Sequence, residues 1–228
     1  MGDIDLSGYD NWDPIGNDGS EFRGIFDGNG YVVKNLTINR PNEEGVGLFG
    51  STYGSTIKNV GLENIDVTGE DNTGGLVGEN YKSTVSNCYA TGNVIGTGDC
   101  TGGFVGKNDY YSTVSNCYAT GNVTGTGWNT GGLVGINYRS ATVSNCYATG
   151  NVTGTARTGG LVGYNERHST VSNSYATGSV TGTGYNTGGL VGENWMYSTV
   201  SNSYASGSVT GEDYTGGLVG FNDNLSLI

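Results

Sequence analysis

Residues 130–156 read TGGLVGINYRSATVSNCYATGNVTGTA, and variants of this phrase fill most of the chain. Its opening hexad, TGGLVG or a close copy, begins at Thr73, Thr101, Thr130, Thr158, Thr187 and Thr215, at spacings of 28, 29, 28, 29 and 28 residues. A looser copy, GVGLFG, begins at Gly45. A fixed period of this size marks an array of stacked units, none of which can bury an apolar face alone. Function then belongs to columns of side chains that repeat down the stack, or to the places where the units differ.

Each unit holds four short strand-like pieces, GLVG, ATVS, CYAT and NVTG, with Gly and Asn at the corners between them. Thr, Val and Tyr favour strands, and Gly and Asn favour tight turns. Pieces this short cannot fold back as hairpins and keep a fixed period. The expected fold is all-β: a right-handed parallel β-helix (solenoid) of about 28 residues per coil and roughly seven coils, its hand set by the rule for parallel crossovers. Residues 1–24 read as an N-terminal cap or lead-in and residues 25–228 as one continuous repeat domain, expected to belong to a longer protein.

Alternation assigns the faces. In the earliest units the CYAT piece becomes VGLE from Val60 and LTIN from Leu36, whose apolar members align with Cys146 and Ala148. The Cys and Ala columns are therefore expected inside, and the Tyr and Thr columns outside. Two asparagine columns support in-register stacking: Asn80, Asn108, Asn137, Asn165, Asn194 and Asn222, and Asn87, Asn116, Asn145, Asn173 and Asn202. Both are expected at corners, where Asn tolerates left-handed backbone and bonds the next rung. Asn173→Ala is expected to cost roughly 1–3 kcal/mol by orphaning a buried partner.

The bulk numbers narrow the function. Among 228 residues 44 are Gly but only 13% are charged, so neither collagen nor a charged disordered coil fits. The net charge is −12, and most acidic residues precede Asn80. Such a chain is a poor partner for nucleic acid or anionic lipid. No apolar run is long enough for membrane insertion. Three of the four cysteines, Cys88, Cys117 and Cys146, share one repeat position with Val60, Ser174 and Ser203, which reads as a column of small fillers. Cys88 and Cys117 are also within reach of a cross-link, one rung apart, although three cysteines in a column cannot all pair. The remaining one is Cys100.

GGLVG, then xN, then STVSNCYATGNVTG resembles the GLUG-motif repeats of bacterial and archaeal surface proteins. DNWDPIGN from Asp10, FRGIFDGNGYVVKNLTI from Phe22 and GLFG from Gly47 resemble the lead-in to such repeats. The resemblance spans nearly the whole chain and implies a non-enzymatic extracellular or cell-surface role, as a stalk or adhesive segment. Some relatives belong to IgA-cleaving metalloproteases, but the HExxH motif is missing here, so that activity does not carry over.

No convergent chemistry is visible. His168 is the only histidine and lies in a variable corner. The outer strand columns hold Ser, Thr, Tyr and Asn rather than the clustered acids and cations of a carbohydrate-processing β-helix, which is the least favoured reading. Asp3, Asp5 and Ser7 begin like a calcium loop, but Pro14 stands where a bidentate Glu is needed. No catalytic residue, metal or cofactor is expected. Of the sequons at Asn35, Asn122, Asn151 and Asn224, those at Asn122 and Asn151 are simply the NVT of the repeat itself.

Three outward arrays remain. Tyr89, Tyr118, Tyr147, Tyr175 and Tyr204 form an aromatic column, read first as structural stacking. Thr84, Ser86, Thr113, Ser115, Thr142, Ser144, Thr170, Ser172, Thr199 and Ser201 form a hydroxyl grid, the alternative being an ice-binding (antifreeze) face. The variable corner after each GxN carries Tyr81, Tyr110, Tyr111, Tyr138, Arg139, Trp195 and Tyr197. Aromatics and cations on loops of a rigid scaffold suit recognition of a glycan or host surface. The last coil is expected to allow end-to-end self-association.

Overall fold

The structure, a computed structural model, describes residues 2–228. Each repeat strand pairs in parallel with its copy one turn away, as in Thr84, Thr113, Thr142, Thr170 and Thr199. The chain is a β-solenoid of about eight turns with about 29 residues per turn. One turn runs through Trp128–Gly131, Val134–Tyr138, Thr142–Ser144, Tyr147–Ala148 and Val152–Gly154. The TG segments stack into a six-stranded sheet, and the VGxN and TVS segments into one seven-stranded sheet each. The Tyr-Ala and Val-Thr-Gly segments share a 13-stranded sheet, because in the early turns both lie on one strand, Gly61–Gly69 and then Tyr89–Gly96.

The extra turn relative to the expected seven comes from the lead-in, which winds instead of merely covering the end. Ile4–Asp5 pairs in parallel with Val33–Lys34, Ile15 bridges Phe49, and Phe22 bridges Thr52. Leu6 is buried, and Trp12, Ile15 and Phe22 pack on the core. The Phe22 and Phe26 rings lie 5.1 and 5.3 Å from Phe49.

The interior is a set of like-on-like apolar columns. Val85, Val114, Val143 and Val171 are fully buried, as are Leu76, Phe104, Leu133, Leu161 and Leu190. Each such side chain contributes about 1.5–3 kcal/mol of transfer free energy, which offsets the ordering of the corners. Close approach explains one glycine column: a Cβ at Gly150 would lie 1.8 Å from the Gly121 carbonyl oxygen one rung below. Outside, Tyr89, Tyr118, Tyr147, Tyr175 and Tyr204 stack at 4.7–5.1 Å with ring planes within 5°.

The two asparagine columns do different work. Asn80, Asn108, Asn137, Asn165 and Asn194 are fully buried and lie within strands. Each donates Nδ2 to the Oδ1 of the next at 2.7–2.8 Å, ending on Asn222. Asn87, Asn116, Asn145, Asn173 and Asn202 instead have φ of 49–54° and are exposed. In this second column one amide bond joins neighbours, Asn87 Nδ2 to Asn59 Oδ1 at 3.4 Å, among the described residues. The expected cost of Asn173→Ala is thereby corrected: an exposed corner Asn has no buried partner to orphan.

Small hydroxyls and thiols satisfy the corners. Ser83 N–H donates to Ser112 Oγ at 3.0 Å, and the pattern continues through Ser169, Ser198 and Ser226. Cys117 Sγ, Cys146 Sγ and Ser174 Oγ each donate to the carbonyl two residues back, and the backbone N–H groups of Cys117, Cys146 and Ser174 donate to the Sγ or Oγ of the next unit. All four cysteines are free thiols. One column lacks such satisfaction: the hydroxyls of Thr101, Thr130, Thr158 and Thr187 are buried without a partner among the described residues.

Candidate functional site

The strand that carries each buried Asn ends one residue after it, at Tyr81, Asp109, Tyr138, Glu166 and Trp195, and the left-handed corner follows. Its first residue is left-handed whatever its identity: Lys82, Tyr110, Arg139, Arg167 and Met196 have φ of 50–56°. Tyr111, Ser140, His168 and Tyr197 follow at 62–63°. Bulky residues in this region cost of order 1–2 kcal/mol each and persist where their surroundings over-determine them. The parallel ladder does so here: Tyr110 and Tyr111 N–H groups donate to the Tyr138 and Arg139 carbonyls at 3.2 and 3.1 Å.

The corners align into a strip of rings and cations. Tyr53, Tyr81 and Tyr110 stack at 5.4 and 5.3 Å, and Tyr111 meets Tyr110 edge-on. Arg23 lies 4.3 Å from the Tyr53 ring centre and Lys82 lies 4.8 Å from Tyr110. Arg139 sits over Tyr138 at 4.7 Å and Arg167 approaches the same ring at 5.4 Å. The strip thus unites Tyr81, Tyr110, Tyr111, Tyr138 and Arg139. Tyr197 lies further along the edge, stacked on His168 at 5.1 Å. Trp195 shares the strand column of Tyr81 and Tyr138 but stacks on Phe221, at 5.7 Å.

Stacking has a chemical consequence. Rings packed face to face use their faces on one another, so Tyr53, Tyr81 and Tyr110 offer edges and hydroxyls, not platforms. Free ring area belongs to Tyr111 and Tyr197, 68% and 54% exposed. The phenol of Tyr53 accepts from Lys82 Nζ at 3.4 Å, and this bond raises the Lys82 pKa.

Beneath the strip lies a charge network that sequence reading missed. Asp109 is fully buried and accepts Arg139 Nε at 2.8 Å, with Arg139 Nη2 on its other oxygen. Lys107 Nζ bonds Glu79 at 3.0 Å and approaches Asp109 at 3.4 Å. Burial works against the Lys107 ammonium, but the Glu79 and Asp109 carboxylates raise its pKa overall. The Asp109 hydrogen bond likewise raises that of Arg139. The signal was present: a period of 28 places Lys107 over Glu79.

The hydroxyl grid also forms. Thr84, Ser86, Thr113, Ser115, Thr142, Ser144, Thr170, Ser172, Thr199 and Ser201 stand in register on the TVS sheet, Thr over Thr and Ser over Ser, with every Val between them inward. Its first rungs differ, with Lys58 bonded to Asp27 at 3.2 Å. Among the described residues no group of three or more His, Cys, Asp or Glu is placed to hold a metal ion, and no helix is long and apolar enough to cross a membrane.

Stacked parallel coils, internal Asn and Ser ladders and a variable edge define a β-solenoid repeat protein. Residues 69–95, 97–124, 126–153, 154–181 and 183–210 match the GLUG motif. The chain belongs to the GLUG-motif family. A 60-residue stretch is 52% identical to halomucin of Haloquadratum walsbyi, covering 26% of this chain and 1% of halomucin. A 74-residue stretch is 38% identical to a candidate Gly-rich membrane protein of Evansella cellulosilytica, covering 30% of this chain and 8% of that protein. The chain therefore spans a small part of these relatives. In fold it is similar to a candidate immunoglobulin A1 protease from Bacteroides ovatus, at TM-score 0.70 and 23% identity over the whole of this chain and 76% of that one.

Proposed function

We propose that this chain is a non-enzymatic, stiff segment of an extracellular or cell-surface protein, presenting its variable corners to a glycan or host surface. One observation carries the reading: the constant positions of the repeat are spent on core and ladders, while the variable aromatic and cationic ones gather on one edge, on left-handed backbone. The family and the similarity to halomucin support a surface role. The test is retention of the purified protein on immobilised glycans. Tyr111→Ala, Tyr197→Ala and Lys82→Ala are expected to weaken retention with unchanged circular dichroism. Retention on nothing, retention indifferent to these changes, or sugar release from a polysaccharide would overturn the reading.

A second reading has its own observation, the in-register Thr and Ser grid of the TVS sheet. An ice-binding face of this kind would give thermal hysteresis, abolished by Thr142→Tyr.

A further inference from the structure

A second variable corner, the one before each TGG, lines a separate shallow, wide-mouthed cavity of about 230 Å³ near the last coils. Register builds it: Tyr164, Glu193 and Phe221 occupy one column of the VGxN sheet, and Trp195 lies two residues beyond Glu193. Trp195 and Phe221 form one wall, with Tyr214 perpendicular to Phe221 at 5.4 Å, and Tyr185 also lines the site. The floor is Glu193, 5% exposed. Arg157 Nε and Asn186 Nδ2 both donate to its Oε2, each at 2.6 Å. Its Oε1 receives no protein donor among the described residues.

We propose that this cavity binds one neutral pyranose ring. Of the residues that line it only Arg157 and Glu193 are charged, and the guanidinium neutralises the carboxylate, so the lining itself offers no net charge to an ammonium or an anion. A sugar matches what is left. Its apolar C–H face suits the aromatic wall, and a hydroxyl donates to Glu193 Oε1. Arg157 is held in turn over Tyr164 at 4.3 Å, which fixes the carboxylate's orientation. The proposal rests on the reading that variable positions carry recognition, and it names the ligand class and a place for it away from the tyrosine strip.

The test is titration of the intact chain with methyl β-D-galactopyranoside, methyl β-D-glucopyranoside and methyl α-D-mannopyranoside, read at the indole N–H resonances of Trp12, Trp128 and Trp195. Tetramethylammonium chloride and sodium acetate are the charged controls. The expected result is a saturable shift of Trp195 with at least one pyranoside in roughly the millimolar range, with Trp12 unmoved and neither salt bound. Glu193→Gln and Tyr214→Ala are expected to weaken binding at least tenfold. Arg157→Gln should reverse the preference, because an unpaired carboxylate then favours tetramethylammonium. No Trp195 shift with any pyranoside, or tighter binding of a salt by the wild type, would overturn the proposal. Strip variants that lose retention on glycans while Trp195 stays silent would sink the pocket alone. The converse result would sink the strip and leave the pocket standing.

Discussion

Asn137→Ala tests the internal ladder directly. Asn137 Oδ1 accepts from Asn108 at 2.8 Å, and its Nδ2 donates to Asn165 Oδ1 at 2.8 Å, to the Ala141 carbonyl at 3.1 Å and to the Thr170 carbonyl at 3.2 Å. Alanine removes all of these at a site with no solvent access. Each lost bond is worth about 1 kcal/mol, and Asn165 Oδ1 is left buried without its donor, at about 1–3 kcal/mol more. The Ser112 and Thr142 carbonyls still receive Asn108, so that neighbour is only partly orphaned. The expected loss is therefore about 5–7 kcal/mol, or roughly 10–28 °C in melting temperature for a chain of this size. Asn145→Ala, one corner further along, provides the control. Asn145 is exposed at φ 54°, so alanine loses only the local preference of Asn for left-handed backbone, about 1 kcal/mol. Thermal melts should separate the two variants widely, and hydrogen exchange should place the damage in the coils flanking Asn137. Equal losses in the two variants would refute the assignment of the ladder to the buried column.

The unpartnered hydroxyls predict the opposite sign: Thr130→Val and Thr158→Val should leave stability unchanged or raise it, by up to about 1 kcal/mol each, and a clear drop in thermal melts would show that these hydroxyls have partners. Cys146→Ser should be tolerated within about 1 kcal/mol, since Ser174 makes the same bonds one rung on, whereas Cys146→Ala leaves the Cys117 N–H without an acceptor and should cost about 1–3 kcal/mol by chemical denaturation. The lead-in should loosen in acid. Asp3 is held below the usual carboxylate range first by its Lys34 bond and then by the Val32 N–H, and Asp27 first by Asn59 and then by the Asn29 N–H. A depressed folded pKa gives stability that is present above the unfolded value, near 4, and is lost as pH falls through the folded value. Exchange of the Val32 and Asn29 amides should therefore accelerate relative to the middle coils as pH drops below about 4, once intrinsic rates are removed.

The period and the inward columns were readable because each is stated many times over: Val85 stands for Val114, Val143, Val171 and Val200. The difference between the asparagine columns was harder to see, since both are uninterrupted. Alternation held the answer. Asn80 sits between Glu79 and Tyr81, whose positions vary, so the constant residue between them points inward. Asn87 directly precedes the inward Cys88 and points out. The interchange of Cys146 with Ser174 was legible as small volume, but their shared donation to a carbonyl two residues back is a feature of the folded corner alone. The pocket around Glu193 escaped sequence reading because its members come from different units and different corners. No single repeat contains the pattern, and only register brings Tyr164, Glu193 and Phe221 into one line.

The corner geometry has one more consequence. From Lys82 to Met196 the backbone takes the same turn within a few degrees under an ammonium, a phenol, a guanidinium and a thioether. Main-chain bonding between coils sets that shape, and the side chains ride on it as passengers. Exchanging them alters what the rod displays without asking the fold to be solved again, so a lineage can diversify its outward face at a fixed pitch of about 4.8 Å while the spine stays unchanged.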